Sequence, residues 1–129
     1  MEIKTHKNIN QKLCGKPVEI KDDLYAKVVL ETNEEMVADD KGLIHGGFIF
    51  GAADYCAMLT VNDPNVVLGS AEVKFLKPVK LGDSLEFEGT IIHSDGHKRL
   101  VNVIAKNQEN VKVFQGDFKC YILEKHVLD

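Results

Sequence analysis

An α+β domain, in which a long antiparallel sheet curls around one central apolar helix, is predicted by three features of the sequence. Residues 46–61 are apolar or small except for Asp54 and Thr60. A surface helix would show a charged face, so a helix this apolar must be enclosed by other structure on nearly every side. The second half of the chain supplies long alternating or β-branched runs to enclose it. The length of 129 residues suits one domain with a real core and is too short for two.

Taken in order, the chain has a polar start. Val18 to Lys21 and Leu24 to Leu30, around the turn-prone Asp22-Asp23, then read as a first hairpin or a bent edge strand. Glu34 to Asp40 is short and acidic and leads through Gly42 to Leu43-Ile44-His45-Gly46-Gly47. The helix runs from Gly46 to Val61 without proline, and Asn62-Asp63-Pro64 stops it. Strands are expected over Val66 to Phe75, Ser84 to His93, Arg99 to Lys106 and Val111 to Leu123. Pro78…Gly82-Asp83, Ser94-Asp95-Gly96 and Asn107 to Asn110 separate them, and loops this short predict antiparallel neighbours. In Leu85-Glu86-Phe87-Glu88 the apolar side chains fall on one face and the acids on the other, as in a sheet with one face on a core and one in water. Runs of about ten residues exceed the ~5 to 6 residue mean for strands, and long twisted strands curl enough to wrap a helix.

Composition narrows the partners. The chain is 44% apolar and 28% charged, ordinary for a folded protein and wrong for a disordered one. Its net charge is −4 and its basic residues are scattered, with a single arginine, which argues against nucleic acid and against an anionic membrane surface. Cys14, Cys56 and Cys120 form no C-x-x-C pair and read as packed, reduced thiols. The first ten residues carry His, Lys and Asn where an export signal would be apolar, so a cytoplasmic location is expected. The apolar run of 16 residues falls short of the ~20 needed to span a bilayer.

The unusual residue is Asp54, a carboxylate in the middle of the apolar helix. Burying an unpaired charge costs several kcal/mol, so natural cores avoid it. Its bland explanation is an outlet through a gap or a hydrogen bond to a neighbouring subunit; its functional one is a general base or nucleophile. Gly46 and Gly47 open the same helix, where free amides carry partial positive charge and can hold a developing oxyanion. Glycines there can equally serve a tight entry. Eight residues separate Gly46 from Asp54, about 12 Å along the axis at ~1.5 Å per residue, too far for both to act on one carbonyl. Two helices packed antiparallel about a two-fold axis would bring the start of one to the middle of the other, so a homodimer with two equivalent sites is expected.

Gly42-x-x-His45-Gly46-Gly47 with an acid nine residues after the histidine, followed by Val73-Lys74-Phe75-Leu76-Lys77-Pro78-Val79-x-x-Gly82-Asp83, resembles the hotdog-fold acyl-CoA thioesterases. The likeness is to the phenylacetate-type (PaaI-like) and 4-hydroxybenzoyl-CoA thioesterase families and covers about residues 36 to 123. It implies that the Gly46 amide, with Gly47, polarises a thioester carbonyl, that Asp54 of the other subunit attacks it or activates water, and that His45 shapes the helix entry. It implies coenzyme A as part of the substrate, no separate cofactor, and a homodimer that can stack into a tetramer or hexamer. Lys77, Lys80, Lys98 and Arg99 lie near strand ends, where such proteins contact coenzyme A phosphates; as lone basic residues they are more often solvated surface.

These families often carry Asn or Gln six residues before the histidine, where this chain has Asp39, and some carry a hydroxyl one turn after the acid, where it has Met58. Both departures favour a second reading, a non-catalytic acyl-CoA-binding regulatory or sensing protein. A hotdog dehydratase or hydratase is a third, and His45 with Asp54 fits its pattern poorly. His93 and His97 could face each other across a hairpin, but no third metal ligand is evident. Phe48, Phe50 and Tyr55 are read first as core packing, and Cys56 as a buried thiol without a histidine partner.

Overall fold

The computed structural model describes residues 1–129. It holds six strands: β1 (Lys16–Lys21), β2 (Tyr25–Glu31), β3 (Val66–Phe75), β4 (Ser84–Asp95), β5 (Lys98–Lys106) and β6 (Lys112–Ile122). They form one antiparallel sheet in the order β1-β2-β4-β5-β6-β3, curled around helix α2 (Gly46–Val61). This is the hotdog arrangement. The strand and helix ranges read from the sequence agree with it to within two residues at each end, the first hairpin starting at Lys16.

One expectation needs correction. The loop of residues 76–83 does not join neighbours: β3 pairs with β6, and β4 lies between β2 and β5. The reason is that this loop runs across the entry of α2 and pairs with residues 42–44 instead. The Ile44 amide donates to Val79 O at 2.9 Å, and the Leu81 amide donates to Gly42 O at 2.8 Å. The polar start also contains a one-turn helix, α1 (Gln11–Cys14), capped by the Asn10 side chain, which accepts from the Lys12 amide.

Helix α2 begins at the glycine pair and ends at Asn62, which adopts a left-handed conformation (φ 53°) and donates its amide to Met58 O. The Asn62 side chain accepts from the Lys4 amide at 3.0 Å and donates to Glu2 O and to Asp22 Oδ1, both at 2.8 Å. That one residue ties the N-terminal segment to the helix end. Along the helix Tyr55, Cys56, Ala57, Met58, Leu59 and Thr60 are all buried, packed with Phe87, Phe114, Phe118 and Val103 of the sheet. Burial on every side explains why the helix shows no polar stripe.

The closest approach of helix and sheet is at Gly89 of β4, where a Cβ would lie 2.2 Å from Thr60 Oγ1 and 3.2 Å from Cys56 Sγ. Overpacking a core costs about 1–3 kcal/mol. Gly89→Ala is therefore expected to lower the midpoint of thermal unfolding by roughly 4–12 °C, and Thr60→Ala in the same chain to restore part of the loss, as calorimetry on both variants would show. An unchanged midpoint for Gly89→Ala would mean that the helix shifts freely on the sheet.

The two edges of the sheet differ. β1 is six residues long, begins Lys16-Pro17, ends in Lys21 and has a register shift between Pro17 and Glu19. Proline, lysine and bulges are the devices that keep an edge from pairing. β3 is ten residues long, free of proline and exposed through Gly69 to Glu72, with a register shift of its own between Leu68 and Ser70.

Candidate active site

Asp54 sits midway along α2, half-buried, and its Oδ1 is buried with no hydrogen-bond partner. Burial raises its carboxyl from the usual range to about 6. Cys14 of α1 and Cys120 of β6 lie within reach of its charge. Both thiols are raised, by their own burial first and by Asp54 second, Cys120 to about 12. The sequence offered no signal for these neighbours, since 106 positions separate the two cysteines and only the fold brings both to the carboxylate.

At the entry of α2, neither the Gly46 nor the Gly47 amide donates to an acceptor within the chain. His45 occupies the cap position without a side-chain capping bond. Its ring lies against Phe48 edge-on at 6.1 Å between centroids and covers Gly47, where a Cβ would meet Nε2 at 3.1 Å. A Cβ on Gly46 would meet the Phe75 ring at 3.4 Å. A Cβ at Gly47 would press on the His45 ring and one at Gly46 would only touch Phe75, while the two amides stand as unpaired donors at the positive end of the helix.

Asp39 is turned to its own loop, with Oδ1 accepting from the Lys41 and Leu43 amides at 2.9 and 3.1 Å. Met58 is 1% exposed and belongs to the core. The four basic residues do not come together within one chain. Lys77 and Lys80 lie in the segment between β3 and β4, at the α2 entry. Lys98 and Arg99 open β5, paired with Asp95 and Ser94 at the far end of the 12-residue β4. Arg99 is further engaged by Asp23, with Nε–Oδ1 at 2.8 Å, and by Gly96 O and Lys98 O.

His93 is paired with Leu100 across the β4–β5 hairpin while His97 lies in its turn, so the two imidazoles do not face each other. Phe50 stacks on Phe118 at 5.7 Å and Tyr55 is buried, both in the core. Cys56 is buried, its Sγ pointing to Ala26 O at 3.6 Å, and burial pushes its thiol to about 12, where it is inert.

One apolar face is left open. Residues directly opposite in an antiparallel pair share a face. Ala71 and Phe75 of β3 are paired with the buried Phe118 and Phe114 of β6, so they point to the core side of the sheet, yet both are exposed, Phe75 by 53%. Gly51 of α2 faces empty space, with no atom within 4 Å of a built Cβ.

The profile of the thioesterase superfamily matches residues 41–114, more than half of the chain. Among curated proteins, methylthioribose-1-phosphate isomerase of Aquifex aeolicus is 55% identical over 118 residues, 92% of this chain and 25% of that protein. The transcription factor FapR of Caldanaerobacter subterraneus is 32% identical over 100 residues, 78% of this chain and 50% of that protein. The chain thus spans a quarter to a half of the length of these relatives. Among solved structures, the uncharacterized protein PH1136 of Pyrococcus horikoshii is 55% identical with TM-score 0.96, covering 100% of this chain and 98% of that one. The PaaI protein of E. coli, from the phenylacetic acid degradation operon, has TM-score 0.80 at 20% identity, covering 88% and 83%. Protein smu.793 of Streptococcus mutans, bound to acetyl CoA, has TM-score 0.81 at 24% identity, covering 94% and 97%. The last two likenesses concern the fold.

Proposed function

The chain belongs to the thioesterase superfamily, and on that footing we propose that it is an acyl-CoA thioesterase acting as a homodimer in the cytoplasm. The observation that carries the reading is Asp54, a carboxylate with a buried, unpartnered oxygen on an otherwise apolar helix. A carboxyl raised to about 6 is basic enough to take a proton and ionised enough to act at neutral pH.

In this reading two β3 edges pair about a two-fold axis at mid-strand. Val66 of one chain then lies near Phe75 of the partner subunit, and the open face formed by Ala71, Phe75 and Gly51 is covered by the partner. The unpaired Gly46 and Gly47 amides of one chain meet the Asp54 half-site of the other. The thioester oxygen sits on the two amides, and negative charge grows there as the carbonyl carbon becomes tetrahedral. Asp54 either adds to that carbon or draws a proton from a water that does. Where Asp54 takes the proton from water, the C–S bond breaks, that proton passes to the leaving sulfur, and the coenzyme A thiol and the carboxylic acid are released. Where Asp54 adds, C–S cleavage leaves an acyl-aspartyl anhydride, which a water hydrolyses to the acid and free Asp54 while the thiolate takes up the water's proton. The pairing also sets the far end of one sheet beside the near end of the other, so Lys98 of one chain and Lys77 and Lys80 of the partner share one end of the dimer.

The test is thiol release from short, medium, long and aromatic acyl-CoAs, with binding measured in parallel. At least one class is expected to turn over, with kcat/KM rising with pH through about 6 as Asp54 ionises. A flat profile between pH 5 and 8 would remove Asp54 as the base.

A second reading is supported by Asp39 and Met58, and by a relative that is a transcription factor. It makes the chain a non-catalytic acyl-CoA-binding module, and it wins if acyl-CoA binds without release of thiol. The match to the isomerase covers a quarter of that protein, so isomerisation is not carried over to this chain.

A further inference from the structure

A cleft of about 470 Å³ lies at the far end of the sheet, between residues 4–8, the start of β3 and residues 126–127. That is the size of a small-molecule site. Its lining includes Lys4, Lys7, His6 and His126 and no acidic residue, in a chain whose net charge is −4. The apolar part comes from Pro64, Val66 and Val127. Both imidazoles are held by their Nδ1 atoms. His6 Nδ1 is 2.7 Å from the hydroxyl of the buried Thr5, and His126 Nδ1 accepts from the Leu128 amide at 3.0 Å. The Nε2 edge of each ring is therefore left for a ligand. The Lys4 ammonium is neutralised by Asp22, whereas Lys7 has no acidic partner. The cleft wall is prefixed, because Asn62 bonds residues 2 and 4 to the end of α2.

We propose that this cleft is the subsite for the phosphate-bearing nucleotide end of the acyl-CoA, with Lys7 and the His6 and His126 Nε2 atoms on the phosphates and Pro64 and Val127 beside the base. The inference rests on the dimeric thioesterase reading. Two-fold pairing of β3 sets the cleft, which adjoins Val66, against the partner's Phe75, and Phe75 abuts Gly46 within its own chain. One chain's cleft and Asp54 and the partner's helix entry would then form one continuous site, with the pantetheine arm running along α2 between them. Lys7, His6 and His126 lie outside the segment matched to the superfamily, residues 41–114, whereas Pro64 and Val66 lie within it.

The test uses Lys7→Glu and the double variant His6→Gln/His126→Gln, after checking that each keeps the wild-type mass and thermal midpoint. Calorimetry with adenosine 3′,5′-bisphosphate is expected to show at least a tenfold weaker binding in both variants. In thiol-release assays, the wild-type preference for an acyl-CoA over the N-acetylcysteamine thioester of the same acid is expected to fall at least tenfold. The subsite is overturned if the wild type does not bind the bisphosphate, if the variants bind it as the wild type does, or if inorganic phosphate displaces it at equal concentration. The hydrolysis reading fails separately, when the wild type releases no thiol from any acyl-CoA; weaker bisphosphate binding in the variants would still uphold the subsite.

Discussion

Asp54→Asn is expected to lower thioester hydrolysis at least a hundredfold and, at the same time, to make the folded protein more stable at neutral pH. The first effect follows from removing the group that, in the proposed mechanism, attacks the carbonyl or takes the proton from water, worth about 10²–10⁴ in rate for a general base alone. The second follows from its burial. The folded-state pKa of about 6 lies above the ordinary carboxyl value of 3.8, so folding disfavours the charged form. The difference of about 2.2 units corresponds to a penalty of up to about 3 kcal/mol. The penalty is fully present above about pH 6, shrinks as pH falls toward 4, and is gone below the unfolded pKa, where both states are protonated. Asparagine carries no charge at any of these pH values. Urea unfolding at pH 7.5 and pH 4, at one protein concentration, should therefore show the variant more stable than the wild type at the higher pH and level with it at the lower. A variant less stable at pH 7.5 would mean that the carboxylate finds a partner in the assembled protein, which would weaken its assignment as the free base.

Ala71→Glu is expected to give a folded monomer without hydrolytic activity. Ala71 is exposed in the single chain, so glutamate can be solvated there and the fold keeps its stability. In the paired assembly the same carboxylate would face the partner's apolar surface, and an unpartnered buried charge costs about 3–5 kcal/mol. Two copies meet near the axis, which adds like-charge repulsion. The dissociation constant should rise by at least a hundredfold, with sedimentation reporting the mass and thiol release following it down at micromolar protein. Full activity in a demonstrated monomer would end the shared-site mechanism, because about 12 Å along the helix would then have to be bridged within one chain.

Much of the architecture was legible in the sequence because its signals are local. The helix bounds follow from Gly46-Gly47 at one end and Asn62-Asp63-Pro64 at the other, and the strands from alternation that the curled sheet preserves. What escaped was non-local. Nothing in residues 76–83 states that they cross the helix entry and leave β3 beside β6, since that choice is made by hydrogen bonds to residues 42–44. Asp54 stood out because a charge inside an apolar run is visible in one dimension. Cys14 and Cys120, whose thiols feel its charge, come from opposite ends of the chain and were not visible. The bases at Lys77, Lys80, Lys98 and Arg99 share a position near strand ends but not one end of the sheet, and proximity to a strand end does not say which end.

The unequal edges of the sheet also decide how far association can go. Addition of strands to an edge propagates into a fibre when both edges accept a neighbour, because each added chain offers a fresh one. In the proposed dimer β3, long and free of proline, accepts the neighbour, whereas β1, six residues opening with Lys16-Pro17, is blunted. Joining two copies through β3 consumes the receptive edge of each and leaves β1 at both termini, so growth by this route is self-terminating. If the site is completed across β3 as proposed, the same asymmetry keeps the chain from polymerising through that edge.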